Sequence, residues 1–129
     1  MANVITDSPG RSFVVLPSAA RTTTPDTQEF RSLGRAAGLV VVVNATAKTS
    51  SPSVVVTISG VDIFTGALWT VIASAAITNT GTTVLKVHPG ITAATNVAVA
   101  DVLPVAFRVT CTHGNTDSIT YSVAAYLTN

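Results

Sequence analysis

The sequence predicts an all-β fold: an antiparallel β-sandwich, Ig-like or jelly-roll-like, preceded by an N-terminal arm. Thr and Val supply 21 and 20 of the 129 residues, and β-branched side chains suit a pleated surface better than a helix. Several segments alternate apolar and polar residues with period two, the pattern of half-buried strands. Short runs of Ser, Thr, Gly and Asn separate them, as turns do in sandwiches and barrels. A barrel is the competing arrangement on these grounds.

Residues 1–37 differ from the rest. Four of the five arginines lie there (Arg11, Arg21, Arg31, Arg35), together with Pro9, Pro17 and Pro25. Residues 13–16 read as a strand ended by Pro17. Thr24 is placed to cap a short helix with Pro25 in its first turn and Gly34 closing it. Two readings of the segment stand side by side. It is an irregular lead-in covering one edge of the sandwich, or an arm lying on a neighbouring subunit with Arg11, Phe13 and Arg21 as its contacts.

The sandwich is expected over residues 38–129. Residues 38–44 are apolar at odd and even positions alike, which fits a strand covered on both faces. Residues 53–61 put Val54, Val56 and Ile58 on one face. A turn at 62–66 leads to a strand at 67–75, and another follows at 83–88 with Leu85 and Val87 inward, stopped by Pro89-Gly90. Val97 and Val99 fit one short strand. Residues 104–112 alternate Phe107, Val109 and Cys111 against Arg108, Thr110 and Thr112. Residues 118–127 alternate Ile119, Tyr121, Val123, Ala125 and Leu127 against Thr120, Ser122 and Ala124. With His113-Gly114-Asn115 between them, the last two read as a hairpin.

Charge narrows the function. Charged residues make up 10% of the chain and the net charge is +1, so no broad field attracts nucleic acid or an acidic membrane. Residues 63–85 carry no charge, yet the breaks at 65–66 and 78–83 leave only 67–77 as a largely apolar run, and spanning a bilayer takes about 20 apolar residues. The first residues lack the basic start and apolar block of a signal peptide, which predicts folding where the chain is made. An ion-poor exterior rich in hydroxyls resists association weakly and is ordinary for a subunit of an assembly.

Candidate chemistry is sparse. His88 and His113 fall at turns with no carboxylate or second His at metal-ligand spacing. Cys111, the sole cysteine, faces inward as a small hydrophobe, with His113 two residues on and of the same parity. No third group orients them as a nucleophile pair requires. Asp101, Asn115 and Asp117 could gather at one end and hold calcium through oxygens, though their spacing is not that of an EF-hand loop and Asp at strand ends is ordinary turn chemistry. Trp69, Tyr121 and Tyr126 are the amphipathic aromatics a glycan platform would use. No catalytic residues, cofactor or metal are expected, and the reading argues against an enzyme.

Three blocks carry a likeness: Ser18-Ala-Ala-Arg-Thr-Thr-Thr24; Leu68-Trp-Thr-Val-Ile-Ala-Ser-Ala-Ala-Ile-Thr-Asn-Thr-Gly-Thr-Thr-Val-Leu-Lys-Val-His-Pro-Gly90; and Asp101-Val-Leu-Pro through Arg108-Val-Thr to Asp117-Ser-Ile-Thr-Tyr-Ser-Val123. Together they resemble small virion-associated proteins of tailed double-stranded DNA bacteriophages. The resemblance implies a capsid decoration or minor capsid protein, made in the host cytoplasm and placed on the capsid surface. Its implied partners are the major capsid protein and copies of itself, a homo-oligomer such as a trimer. A glycan-binding adhesion module and a tail or neck component are the alternatives.

Overall fold

The structure, a computed structural model, describes residues 11–32 and 36–129. Nine strands occur among them: β1 (Arg11–Arg21), β2 (Glu29–Arg31), β3 (Gly38–Lys48), β4 (Val54–Val61), β5 (Leu68–Ala73), β6 (Gly81–Val87), β7 (Ala98–Val99), β8 (Ala106–His113) and β9 (Ile119–Thr128). They form a five-stranded sheet in the order β1-β9-β3-β6-β7 and a four-stranded sheet in the order β2-β8-β4-β5. All pairs are antiparallel except β6 with β7, which run parallel. The expected β-sandwich is therefore the fold, with one parallel pair at an edge.

The chain changes sheet at almost every connection, and only β4–β5 is a hairpin between successive neighbours. The hairpin expected between β8 and β9 does not form. β8 pairs with β2 and β4, whereas β9 pairs with β1 and β3. The turn after His113 is an arch from one sheet to the other. Both strands keep the predicted alternation because Phe107, Val109 and Cys111 face Ile119, Tyr121 and Val123 across the core, all buried. Period two reports which face is inward; it does not say which strand is the neighbour.

The core lies between the sheets. Leu39, Val41 and Val43 from β3, Val54, Val56 and Ile58 from β4, and Leu85 and Val87 from β6 are buried. Each such side chain contributes about 1.5–3 kcal/mol on leaving water. Phe107 and Tyr121 are the largest fully buried side chains.

The N-terminal segment is corrected from Arg11 onward. It is not an arm: β1 is an edge strand of the five-stranded sheet, paired along β9 from Arg11↔Leu127 to Arg21↔Ile119. Pro17 does not end it, because the register shifts between Val14 and Leu16 and again between Leu16 and Ala19. An edge strand tolerates a proline at such an irregularity. The helix expected after Thr24 is also absent; Glu29–Arg31 instead pairs with β8 at the edge of the other sheet. Gly34 and Arg35 lie outside the described residues, as do 1–10. Phe13 from one sheet and Phe30 and Phe107 from the other close this side of the sandwich, with ring centroids 4.4 Å apart for Phe13–Phe30 and 5.9 Å for Phe30–Phe107.

This packing sets an expected order of costs. Phe107→Ala should destabilise the fold by about 3–5 kcal/mol and the half-buried Phe13→Ala by about 2 kcal/mol, read as shifts in urea-unfolding midpoints at constant m-value.

Candidate interaction surfaces

The β4–β5 hairpin ends in a rigid tip. The amide of Phe64 donates to Asp62 Oδ1 (2.9 Å) and the Thr65 hydroxyl to Asp62 Oδ2 (2.8 Å). The amide of Gly66 donates to the Asp62 carbonyl (2.7 Å), and that of Asp62 to the Ala67 carbonyl (2.8 Å). Gly66 takes φ +78°, which glycine adopts without strain. These donors hold the Asp62 carboxyl below its ordinary range, the Phe64 amide most of all. The result is a fixed loop that keeps Phe64 in water, 89% exposed, where burial would return about 1.5–3 kcal/mol.

Beside the tip is an open hollow of about 540 Å³, lined chiefly by Val61, Ala67, Leu68, Trp69, Pro104 and Val105 and bordered by Phe64. Trp69 is half-exposed, and its indole lies against Gly60 on the neighbouring strand. A Cβ at Gly60 would sit 2.1 Å from its Cζ2. Glycine is therefore what lets the indole settle there. Sequence reasoning missed this surface. The 62–66 stretch was legible as a turn, but nothing in it announces that Ile63 and Phe64 are left uncovered.

A second surface is the outward face of the five-stranded sheet. Val14, Ala124, Val42 and Val84 stand in one cross-strand row on that face, all at least partly exposed. The next row holds Ser12, Tyr126, Val40 and Lys86. The expectation that β3 is covered on both faces is met on one only: Val40 and Val42 remain partly open. No described strand lies over them.

The polar candidates are absorbed into the framework. Arg21 donates from Nη1 to the carbonyls of Tyr121 (2.6 Å) and Ala19 (3.3 Å), and from Nη2 to that of Pro17 (2.5 Å). Its guanidinium lies 4.7 Å from the Tyr121 ring centroid, a cation–π contact. Arg21 thus fastens the end of β1 to β9, and Phe13 is committed to the aromatic cluster. Neither is a free contact residue in this fold, and the side chain of Arg11 is outside what the structure describes. His113 Nε2 lies 2.9 Å from the Tyr121 hydroxyl, and its backbone amide donates to Thr24 Oγ1 (2.9 Å).

Burial pushes the Cys111 thiol up to about 11 and the Tyr121 phenol higher still. Cys111 is fully buried, and the His113 ring is engaged with the Tyr121 hydroxyl, whereas a reactive thiol needs an accessible, electropositive setting. His88 accepts from the Gly90 amide at Nδ1 (2.9 Å), which leaves Nε2 to donate to the Asn129 carbonyl (3.0 Å). Asp101 and the pair Asn115 and Asp117 flank opposite ends of β8, a strand spanning about 25 Å, so they cannot share an ion. Asn115 and Asp117 instead tie the β8–β9 arch to Ser51, by Asn115 Nδ2 to the Ser51 carbonyl (2.9 Å) and the Ser51 amide to Asp117 Oδ2 (3.1 Å). Trp69 and Tyr126 belong to different sheets and do not make one platform.

What fold and surfaces define together is a charge-poor β-sandwich with two uncovered apolar areas. No family model matches the chain, and no curated protein matches it. Among solved structures it is similar to the crystal structure of SPBc2 prophage-derived protein YomS, at 18% identity over 97% of this chain and 99% of that one, with a TM-score of 0.49.

Two outcomes are expected from this geometry. Gly60→Ala should push the indole of Trp69, the only tryptophan, off the strand and shift its fluorescence to longer wavelength, at a stability cost of about 1–2 kcal/mol. His113 is held below its ordinary value of 6.5, first by burial and then by the Arg21 guanidinium. The unfolded chain therefore binds the proton first as pH falls, so stability is complete above about pH 6.5 and declines from there to the lowered native value. Unfolding midpoints measured from about pH 7.5 to 5 should show this loss in the wild type. The component should vanish in His113→Gln.

Proposed function

We propose that this chain is a structural protein of a tailed bacteriophage particle, seated on the outer capsid surface as a decoration or minor capsid protein. The observation that carries the reading is the uncovered row Val14–Ala124–Val42–Val84 on the five-stranded sheet. A strand with valines on both faces belongs in a sheet covered on both sides, and the described chain covers one. The missing cover is a partner. The resemblance of the three sequence blocks to phage virion proteins supplies the identity of that partner, the major capsid protein.

The mechanism is burial repeated by symmetry. Each contact is small and nearly uncharged, but a shell presents many equivalent positions, and linked copies gain avidity without new contacts. Such a role uses no cofactor and no catalytic group. A glycan platform loses its footing because Trp69 and Tyr126 sit on different sheets.

Purified protein should co-sediment with expanded capsid shells. Val42→Lys and Val84→Lys, both on the outward face, should weaken that binding at least about tenfold while leaving the circular dichroism unchanged. A chain that neither binds shells nor occurs in virions would defeat the reading. A copy number of a few per particle, with density at the neck or tail, would move it to the tail or neck class.

A further inference from the structure

We propose that the hollow at the β4–β5 tip is a self-association site, in which Phe64 of each of two copies enters the hollow of the other about a two-fold axis. The inference rests on the reading of the chain as an assembly subunit and names what meets this surface.

The patch carries both halves of its own complement. Phe64 projects 89% exposed from a loop fixed by Asp62 and Gly66, and the apolar hollow lies directly beside it. A two-fold contact uses one patch on both copies, so a knob and a socket must occur together on it. Here they do. The two insertions are then equivalent, and the contact closes at two copies instead of running on as a filament.

Area agrees with this occupant. The exposed portions of Ile63, Phe64, Leu68, Trp69 and Val105 amount to roughly 600 Å², at the upper end of the about 300–600 Å² that the largest patch on a monomer shows. It is three-quarters of the about 800 Å² that each partner brings to a standard interface, before any rim is counted. Charge agrees as well. The one ionised group on the tip, Asp62, has both carboxylate oxygens occupied by Phe64 and Thr65, and a net charge of +1 opposes pairing little. The tip is also fixed before contact, so little ordering is lost on binding.

Sedimentation equilibrium of the isolated 129-residue chain, from about 1 to about 200 µM, tests this in a range where moderate dimers are populated. The wild type should dimerise. Phe64→Asp on the knob and Val105→Arg in the hollow should each raise the dissociation constant at least about tenfold, with unfolding midpoints unchanged when measured at dilutions where the wild type is itself monomeric, because both positions are exposed. Mixing the two variants should restore a heterodimer. One side of it keeps the native insertion, and the other sets the introduced carboxylate against the introduced guanidinium. A wild type that stays monomeric, or a dimer indifferent to both substitutions, overturns the proposal. So does a mixture that fails to associate. Shell co-sedimentation separates the two readings. If the chain is monomeric and Phe64→Asp abolishes shell binding, the hollow belongs to the shell and self-association is wrong while the capsid role stands. If the dimer forms as described and no shell binds, the capsid role fails and the self-association site remains.

Discussion

The packing of one sheet's inner face on the other is the interaction on which everything else depends. Most connections cross between sheets, so few strands pair with the strand that precedes them. Local turns therefore cannot assemble the sheets one hairpin at a time. β9 must find β1 and β3 from the far end of the chain, and the loop-closure entropy of doing so is met only when the buried faces meet. The residues that make those faces, Val, Leu and Ile with Phe107 and Tyr121, carry the fold's free energy and its topology together.

The N-terminal strand shows how that dependence extends to an edge. β1 has a proline and two register shifts, and an edge strand so interrupted has weak hydrogen bonding to hold it. Two contacts offset this. Phe13 inserts between sheets against Phe30 and Phe107, and Arg21 gathers three carbonyls over the face of Tyr121. The same Tyr121 receives His113, so one buried ring joins β1, β8 and β9. This polar cluster is in that sense a fastening of the sandwich edge.

The inner faces were legible in the sequence, and for a physical reason. Alternation in 104–112 and 118–127 follows directly from the pleat, and the structure buries Phe107, Val109, Cys111, Ile119, Tyr121, Val123 and Ala125 as that alternation requires. Pairing was not legible, because an arch and a hairpin use the same turn residues and the same parity. Arg11–Arg21 was misread for a related reason. Arginine and proline shift the local composition away from Val and Thr, yet an edge strand accepts both, so composition marks an edge as easily as an arm. Of the candidate surfaces, the doubly apolar β3 signalled one in advance. The tip gave no such signal, since exposure of Phe64 depends on where the β4–β5 hairpin ends relative to the other sheet.

The doubly apolar β3 also poses a problem that its neighbour solves. A strand slipped by one residue turns its outer face inward. In β3 that exchange would replace Leu39, Val41 and Val43 by Val40, Val42 and Asn44, so within residues 39–44 only Asn44 opposes it. Register is held more firmly by β9, where the inward set runs Ile119, Tyr121, Val123, Ala125 and Leu127 while the outward set contains Thr120 and Ser122. A slip would bury those hydroxyls without partners, at about 1–3 kcal/mol each. Polar residues at 40 and 42 would specify register directly and keep the outer face wet. Valines there serve neither end in an isolated subunit. They have a use if that face is covered in an assembly, which is why the row beginning at Val14, and not the histidines or the cysteine, bears the functional reading.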